Sequence, residues 1–252
     1  MLQGSNEKKN PQDFALWKNA NESHIMKWQS PWGYGFPGWH IECSAMSHKY
    51  LGEKFDIHGG GVDLKFPHHD CEIAQSESVY GKNPANFWIH TNMLTLNGKK
   101  MSKSIGNSVF PNEIFEGKNS IFSKSFSPMT LKFFMYQAHY RNTLDLSNNA
   151  LLSSEKAFEK IAQLSTDLQS VKVSDSSDLN ANKWIDSCYD SLNDDFNSPK
   201  LIACFFELNK LINDRSKIYS KAKYQIKCDI LSKLELTKFL LYTSPSPRDR
   251  KK

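Results

Sequence analysis

Residues 55–75, Phe55-Asp-Ile-His-Gly-Gly-Gly-Val-Asp-Leu-Lys-Phe-Pro-His-His-Asp-Cys-Glu-Ile-Ala-Gln75, decide the fold. The apolar start, Lys54–His58, has the residue types of a strand. The three glycines that follow let a ligand approach the backbone closely and free amide donors for it. Pro67–Tyr80 then reads as a helix with proline in its first turn. Outward from this unit, Pro37–Leu51 reads as a second helix and Phe87–Leu96 as a second strand. Strands alternating with helices predict an α/β layer over residues 1–110.

Beyond that layer the pattern changes. Residues 111–150 contain Pro111, Pro128 and the apolar-aromatic run Leu131–Tyr140, which reads as a helix packed on the first zone. Residues 151–240 read as all-α. Leu151, Phe158, Ile161 and Ala162 form one stripe, and Trp184, Cys188 and Leu192 another. Leu201, Phe205, Leu208 and Ile212 follow, then Ile226, Ile230 and Leu234, while Thr166–Asn182 reads as a loop. These stripes predict a helical bundle with the aromatics as core. Residues 241–252, with Ser-Pro-Ser-Pro and a basic end, are expected to be disordered or appended.

The totals narrow the function classes. The chain has 252 residues, with 39% hydrophobic and 12% aromatic, enough for a substantial core. No apolar run approaches the roughly 20 residues of a membrane span, and Met1–Gln12 lacks the apolar stretch of a secretion signal. Five irregularly spaced cysteines argue against a disulfide scaffold and for a reducing, cytoplasmic setting. The net charge of +5 is dispersed; it permits a nucleic-acid partner without arguing for one.

Three patterns carry chemistry. Lys100-Met-Ser-Lys-Ser104 sets two lysines three apart among hydroxyls, with a glycine nearby. Ammonium groups so placed suit a polyphosphate that gains charge and leaves, although a lone Lys-x-x-Lys would read as a solvated turn. His68 and Glu72 are four apart and converge on one helix face, and Cys43 adds a soft thiolate. Thiolate, imidazole and carboxylate on one centre favour zinc, the alternative being an ordinary buried cysteine. His69 and Cys71 are neighbouring donors whose offsets from Glu72 point them elsewhere on the helix. Asp63, just past the glycines, could hold a ribose hydroxyl, or the run is a plain glycine turn. Trp39 ends the aromatic loop Trp32–Trp39, as core or as the wall of a small-molecule pocket.

Taken with Asp13–Lys18, Ser30–Trp32, Pro37–Met46, Leu96–Asn107 and Leu192-Asn-Asp-Asp-Phe-Asn-Ser-Pro199, these stretches resemble the cysteinyl-tRNA synthetase family of class I aminoacyl-tRNA synthetases from about residue 10 to 240. The resemblance implies a partial Rossmann-like class I catalytic domain, a stem-contact-like connection over 111–150 and a helical tRNA-binding-type domain over 151–240. It implies zinc held by Cys43, His68 and Glu72, and a cysteine pocket lined by Trp39 and His58. It also places Gly60 and Asp63 in an adenosine-binding run, with Lys100 and Lys103 acting on ATP. The implied partners are tRNA(Cys), L-cysteine and ATP with Mg²⁺, with no membrane and no obligate protein partner. Zinc suits this selectivity: an apolar pocket separates near-isosteres by only ~1–3 kcal/mol, whereas a soft metal prefers sulfur to a neutral hydroxyl.

The chain also departs from the family pattern. The first half-fold, with its His-x-Gly-His type element and first zinc cysteine, has no counterpart, and none of Cys71, Cys188, Cys204 or Cys228 falls at that cysteine's place. The expectation is a carboxy-terminal portion with little activity alone, an exposed apolar half-sheet and open strand edges. Two alternatives stand beside it: a non-catalytic zinc- or RNA-binding fragment, and a ligase joining cysteine to an amino-sugar. The stretch Leu192–Pro199 argues against the second.

Overall fold

A computed structural model describes residues 8–102, 104–170 and 181–216. Lys103, positions 171–180, the Ile226–Leu234 stripe and the 241–252 tail lie outside the described residues. The chain forms two compact units, Met1–Asn92 and Met93–Lys252.

In the first unit, Trp17–Asn19 (β1), Trp28–Ser30 (β2) and Gly33–Pro37 (β3) make an antiparallel sheet in the order β1-β3-β2. The aromatic stretch expected as a loop is therefore mostly the central strand; its aromatics suit a pleated surface. Because Pro37 belongs to β3, the helix expected from Pro37 begins later, as α1, Ile41–Leu51. Phe55–Gly61 (β4) carries the glycines inside the strand and pairs in parallel with Ala85–Thr91 (β5), joined through helix α2, Asp70–Tyr80. This βαβ unit places Ile57 beside Phe87, His58 beside Trp88 and Gly60 beside His90. The helix expected from Pro67 starts at Asp70 because Phe66 is extended (φ −133°, ψ 134°), the preference of a residue before proline. It ends at Gly81, left-handed with φ 70°, whose N–H donates to the Glu77 carbonyl.

Among the described residues of this unit, Pro84 and Ala85 are the only buried apolar side chains. Ile57 and Phe87, register partners, are 56% and 66% exposed. The expected apolar half-sheet face is present. The buried side chains here are instead His40, His68, His69, Glu72 and Ser76.

The run Phe87–Leu96, expected as one strand, breaks after Thr91. Leu94–Leu96 (β6) belongs to the second unit, pairing antiparallel with Lys99–Lys100 (β7) and parallel with Leu144–Leu146 (β8). Asn97 and Gly98 turn this hairpin with φ of 49° and 75°, the positive values a two-residue turn requires. Pro111–Glu116 (α3) and Pro128–Tyr136 (α4) each open on proline. The Ser127 hydroxyl accepts from the Thr130 N–H at 3.0 Å, so α4 starts and stops earlier than the apolar run alone predicts. Leu96, Ile114, Phe122, Phe126, Leu131, Phe134, Leu146 and Leu151 form one core.

Helices α5 (Asn148–Ser170), α6 (Ala181–Asn193) and α7 (Ser198–Ser216) follow. The loop expected over Thr166–Asn182 is helical at both ends, since a polar sequence still extends a helix already anchored by packing. Phe133 of α4 joins Ile161, Cys188, Leu201, Ile202, Cys204 and Phe205 in a second core, as the stripes predict. Trp184 packs on it and donates its indole N–H to the Cys204 carbonyl at 2.9 Å.

Two outcomes follow from this packing. Leu151 is fully buried, so Leu151→Ala should cost the second unit about 2–5 kcal/mol in a denaturant titration. Asp195, in the α6–α7 turn, accepts from Arg141 Nε at 2.5 Å and from the Tyr140 hydroxyl at 2.6 Å. The bond from Arg141, then that from Tyr140, holds the carboxyl below its usual range. A depressed folded value gives stability that is present above the unfolded value of about 4 and lost as pH falls through the folded one. Acid titration of the second unit should therefore show a limb below about pH 4 that Asp195→Asn flattens.

Candidate functional site

The donor atoms of Cys43, His68 and Glu72 lie within 4.8 Å of one another, so the three side chains chosen from spacing come together. Cys43 sits in the first turn of α1, His68 in the wide turn Lys65–His69, and Glu72 in the first turn of α2. A carboxylate is favoured at that helix start. Glu72 is 1% exposed, and its Oε1 lies 2.6 Å from His68 Nε2. That approach falls outside hydrogen-bonding geometry, and Oε1 has no hydrogen-bond partner. A buried carboxylate oxygen left unsatisfied costs at least about 1–3 kcal/mol. A cation between imidazole, carboxylate and thiol fits this orphaned atom and the soft donor set.

Burial, then the charges of Glu72 and Glu42, pushes the Cys43 thiol up from its ordinary value. Burial, then His68, pushes His40 down. His69 falls to about 4, chiefly through burial and then through His58. His40 and His69 are thus neutral at pH 7.

His69 corrects the expectation that its offset carries it away from the cluster. A three-residue spacing still shares a helix face with Glu72, and His58, His69 and Glu72 form a second donor group within 4.8 Å. His58 Nε2 lies 3.1 Å from Glu72 Oε2, and His69 Nδ1 lies 2.8 Å from His90 Nε2. Cys71 joins no such group among the described residues. Gly60 is needed for a reason different from ligand approach: a Cβ there would sit 2.8 Å from His69 Cε1. Asp63 folds back, its Oδ1 2.4 Å from where a Gly61 Cβ would lie. Trp39 is 57% exposed rather than core, and its ring stacks on His40 at 4.7 Å and meets His68 at 5.0 Å. Two residues missed from the sequence, His40 and His90, extend this chain of imidazoles at its two ends, His40 against His68 and His90 against His69; the only signal was that His40 follows Trp39.

In the second unit, Lys100 is exposed on β7. Its loop is closed by Asn107, also missed from spacing. The amide oxygen of Asn107 accepts from the Ser102 N–H at 2.8 Å, and its Nδ2 donates to the Lys100 carbonyl at 3.0 Å. One side chain thus bridges both sides of the loop. Asp145 Oδ1 holds the hairpin behind it, accepting from the Thr95 hydroxyl at 2.7 Å and the Gly98 N–H at 2.6 Å.

Comparison with known proteins gives these features a class. Residues 1–156 match the family model "tRNA synthetases class I (C) catalytic domain", and residues 188–237 match the DALR domain. The chain belongs to the class I (C) tRNA synthetase catalytic-domain family. It is 54% identical over 221 residues to a cysteine–tRNA ligase of Cytophaga hutchinsonii, covering 84% of this chain and 44% of that protein. It is 50% identical over 212 residues to the corresponding ligase of Porphyromonas gingivalis, covering 84% of this chain and 43% of that one. The chain thus spans less than half the length of these curated relatives. The agnB2 LeuRS of Agrobacterium radiobacter K84, solved in a ternary complex with tRNA and LeuAMS, matches with a TM-score of 0.61 at 14% identity. That likeness covers 86% of this chain and 32% of the LeuRS and supports the fold: a partial class I catalytic domain followed by helices.

If Asn107 clasps the lysine loop, Asn107→Ala should speed tryptic cleavage after Lys99 and Lys100 several-fold while the fold's circular dichroism is unchanged. Asn107→Asp, which keeps the acceptor and loses the donor, should fall between. Equal cleavage in all three chains would show the loop to be held by other bonds.

Proposed function

We propose that this chain carries the metal-bearing portion of a cysteine–tRNA ligase, the activity named for its relatives. The observation that supports it most is the orphaned Glu72 Oε1 facing His68 within reach of Cys43. Those three residues would hold zinc, leaving a position for a further ligand. A zinc ion there supplies a soft Lewis acid that prefers a cysteine thiolate to a serine hydroxyl. Trp39 and His58 bound the cysteine, and Glu72, with His58 beside its Oε2 and its Oε1 left open, is placed to hold the ion. Gly60 and Asp63 belong to the adenosine side.

The reaction joins the cysteine carboxylate to the α-phosphorus of ATP while the bond to pyrophosphate breaks. A terminal ribose hydroxyl of tRNA(Cys) then takes the cysteinyl group and AMP leaves. Lys100 and Lys103, with Mg²⁺ brought by ATP, stabilise the departing pyrophosphate, so positioning and charge supply most of the rate. Residues 1–110 serve the catalytic side, 111–150 contact the acceptor stem and 151–240 bind tRNA, in the cytoplasm. No helix among the described residues is long and apolar enough to cross a membrane. The exposed Ile57–Phe87 face favours little activity from the chain by itself.

Titration against a chromogenic chelator should find about one zinc per chain. Glu72→Ala and Cys43→Ala should weaken it by more than about 100-fold, beyond the cost of outer-shell changes. Zinc at 100 times its Kd should also stabilise the protein by about 2.7 kcal/mol. The zinc-loaded chain should bind cysteine and ignore serine in calorimetry. Zinc uptake that neither variant alters would refute the assignment, and zinc uptake without cysteine binding would favour a structural metal.

A further inference from the structure

We propose that His40 is a positioning residue for His68: it fixes the tautomer and ring orientation of the imidazole that faces Glu72. The inference rests on the metal reading of Cys43, His68 and Glu72. His40 is the residue before α1, with φ 84° and ψ −44°, a conformation costly for any residue with a Cβ. A residue at that position ordinarily caps the helix with its side chain. His40 makes no side-chain cap bond. Its Nδ1 instead lies 2.7 Å from His68 Nδ1, with the side chain 7% exposed. Trp39 stacks on the ring at 4.7 Å and Phe14 meets it edge-on at 5.7 Å, so its direction is fixed. Neither capping nor turn geometry explains a histidine here; the bond to His68 does.

Two Nδ1 atoms at that distance share one proton, one ring donating and the other accepting. When His68 presents the Nε2 lone pair to a cation, its proton sits on Nδ1 and donates to His40. His40 is then the acceptor, protonated on Nε2. The bond also ties the start of α1, three residues before Cys43, to the turn that carries His68. One hydrogen bond therefore registers the thiol against the imidazole. Partners of this kind set the orientation of ligating histidines, and losing one typically weakens metal binding 10–100-fold.

The test is zinc affinity by chelator competition, with Co²⁺ absorption as a report on ligand geometry, on the full chain and three variants. His40→Ala should bind zinc about 10–100-fold more weakly and shift the Co²⁺ bands. His40→Asn should bind within a few-fold of the unchanged chain, because its amide oxygen reaches the place of Nδ1 and asparagine tolerates positive φ. His40→Gly relieves the backbone but has no acceptor, so it should be weak in zinc even if it unfolds at a higher temperature. Should His40→Ala fail to fold, the Asn and Gly variants decide. Unchanged affinity in His40→Gly, or equally weak binding in His40→Asn and His40→Gly, overturns the role of His40. No zinc uptake by the unchanged chain overturns the metal reading itself, before any variant is compared.

Discussion

A carboxylate buried to 1% exposure between two imidazoles is the constraint from which the first unit follows. An isolated buried charge is not tolerated in an apolar setting, so the surrounding chain is organised to answer it. The wide turn ahead of α2 brings His68 against one oxygen, and β4 brings His58 against the other. His69 fills the space above Gly60, which is why that position admits no Cβ. The register of β4 with β5 then sets His90 beside Gly60, within reach of the His69 ring. The polar cluster thus links both strands, the turn and the starts of two helices.

The second unit is built by different physics. Phe126, Leu151 and Leu208 are almost wholly removed from water, and its two apolar clusters take different faces of α4, Leu131 and Phe134 in one and Phe133 in the other. Apolar burial of this kind stabilises without partners. Among the described residues the first unit has little of it, and its largest fully buried side chain is Glu72. Its stability accordingly depends on how well that group is compensated, so a ligand bound there would couple to the fold of the unit.

The sequence made some of this legible. The four-residue spacing of His68 and Glu72 and the soft donor at Cys43 were enough to select a triad that the structure brings together. The bundle stripes were equally plain, since Ile161, Cys188, Leu201 and Phe205 recur at helical spacing. Other features depend on contacts distant in the chain. Phe87–Leu96 is continuous in composition, and it divides because Leu94–Leu96 finds partners at residues 99–100 and 144–146. The aromatic stretch before Trp39 becomes a central strand only through β1 and β2. His40 carries no periodic signal at all; its role is visible in a dihedral angle and one bond. Lys103 belongs to the recognised loop but lies outside the described residues.

Charge balance explains why this donor set suits a divalent cation. Burial raises the Cys43 thiol and lowers His40 and His69, so in the bare protein the thiol stays protonated and these imidazoles stay neutral. A divalent ion held there would reverse the first of these, because a coordinated thiol is deprotonated outright. Thiolate and carboxylate would then carry two negative charges against two positive. The buried site would become neutral, which would minimise the desolvation penalty that otherwise opposes ions in such surroundings. A lysine or arginine in place of a histidine would leave excess positive charge beside the ion. An additional carboxylate in place of Cys43 would retain the charge but lose the preference for a soft partner. One thiol and one carboxylate beside imidazole donors would therefore suit such an ion in both charge and selectivity.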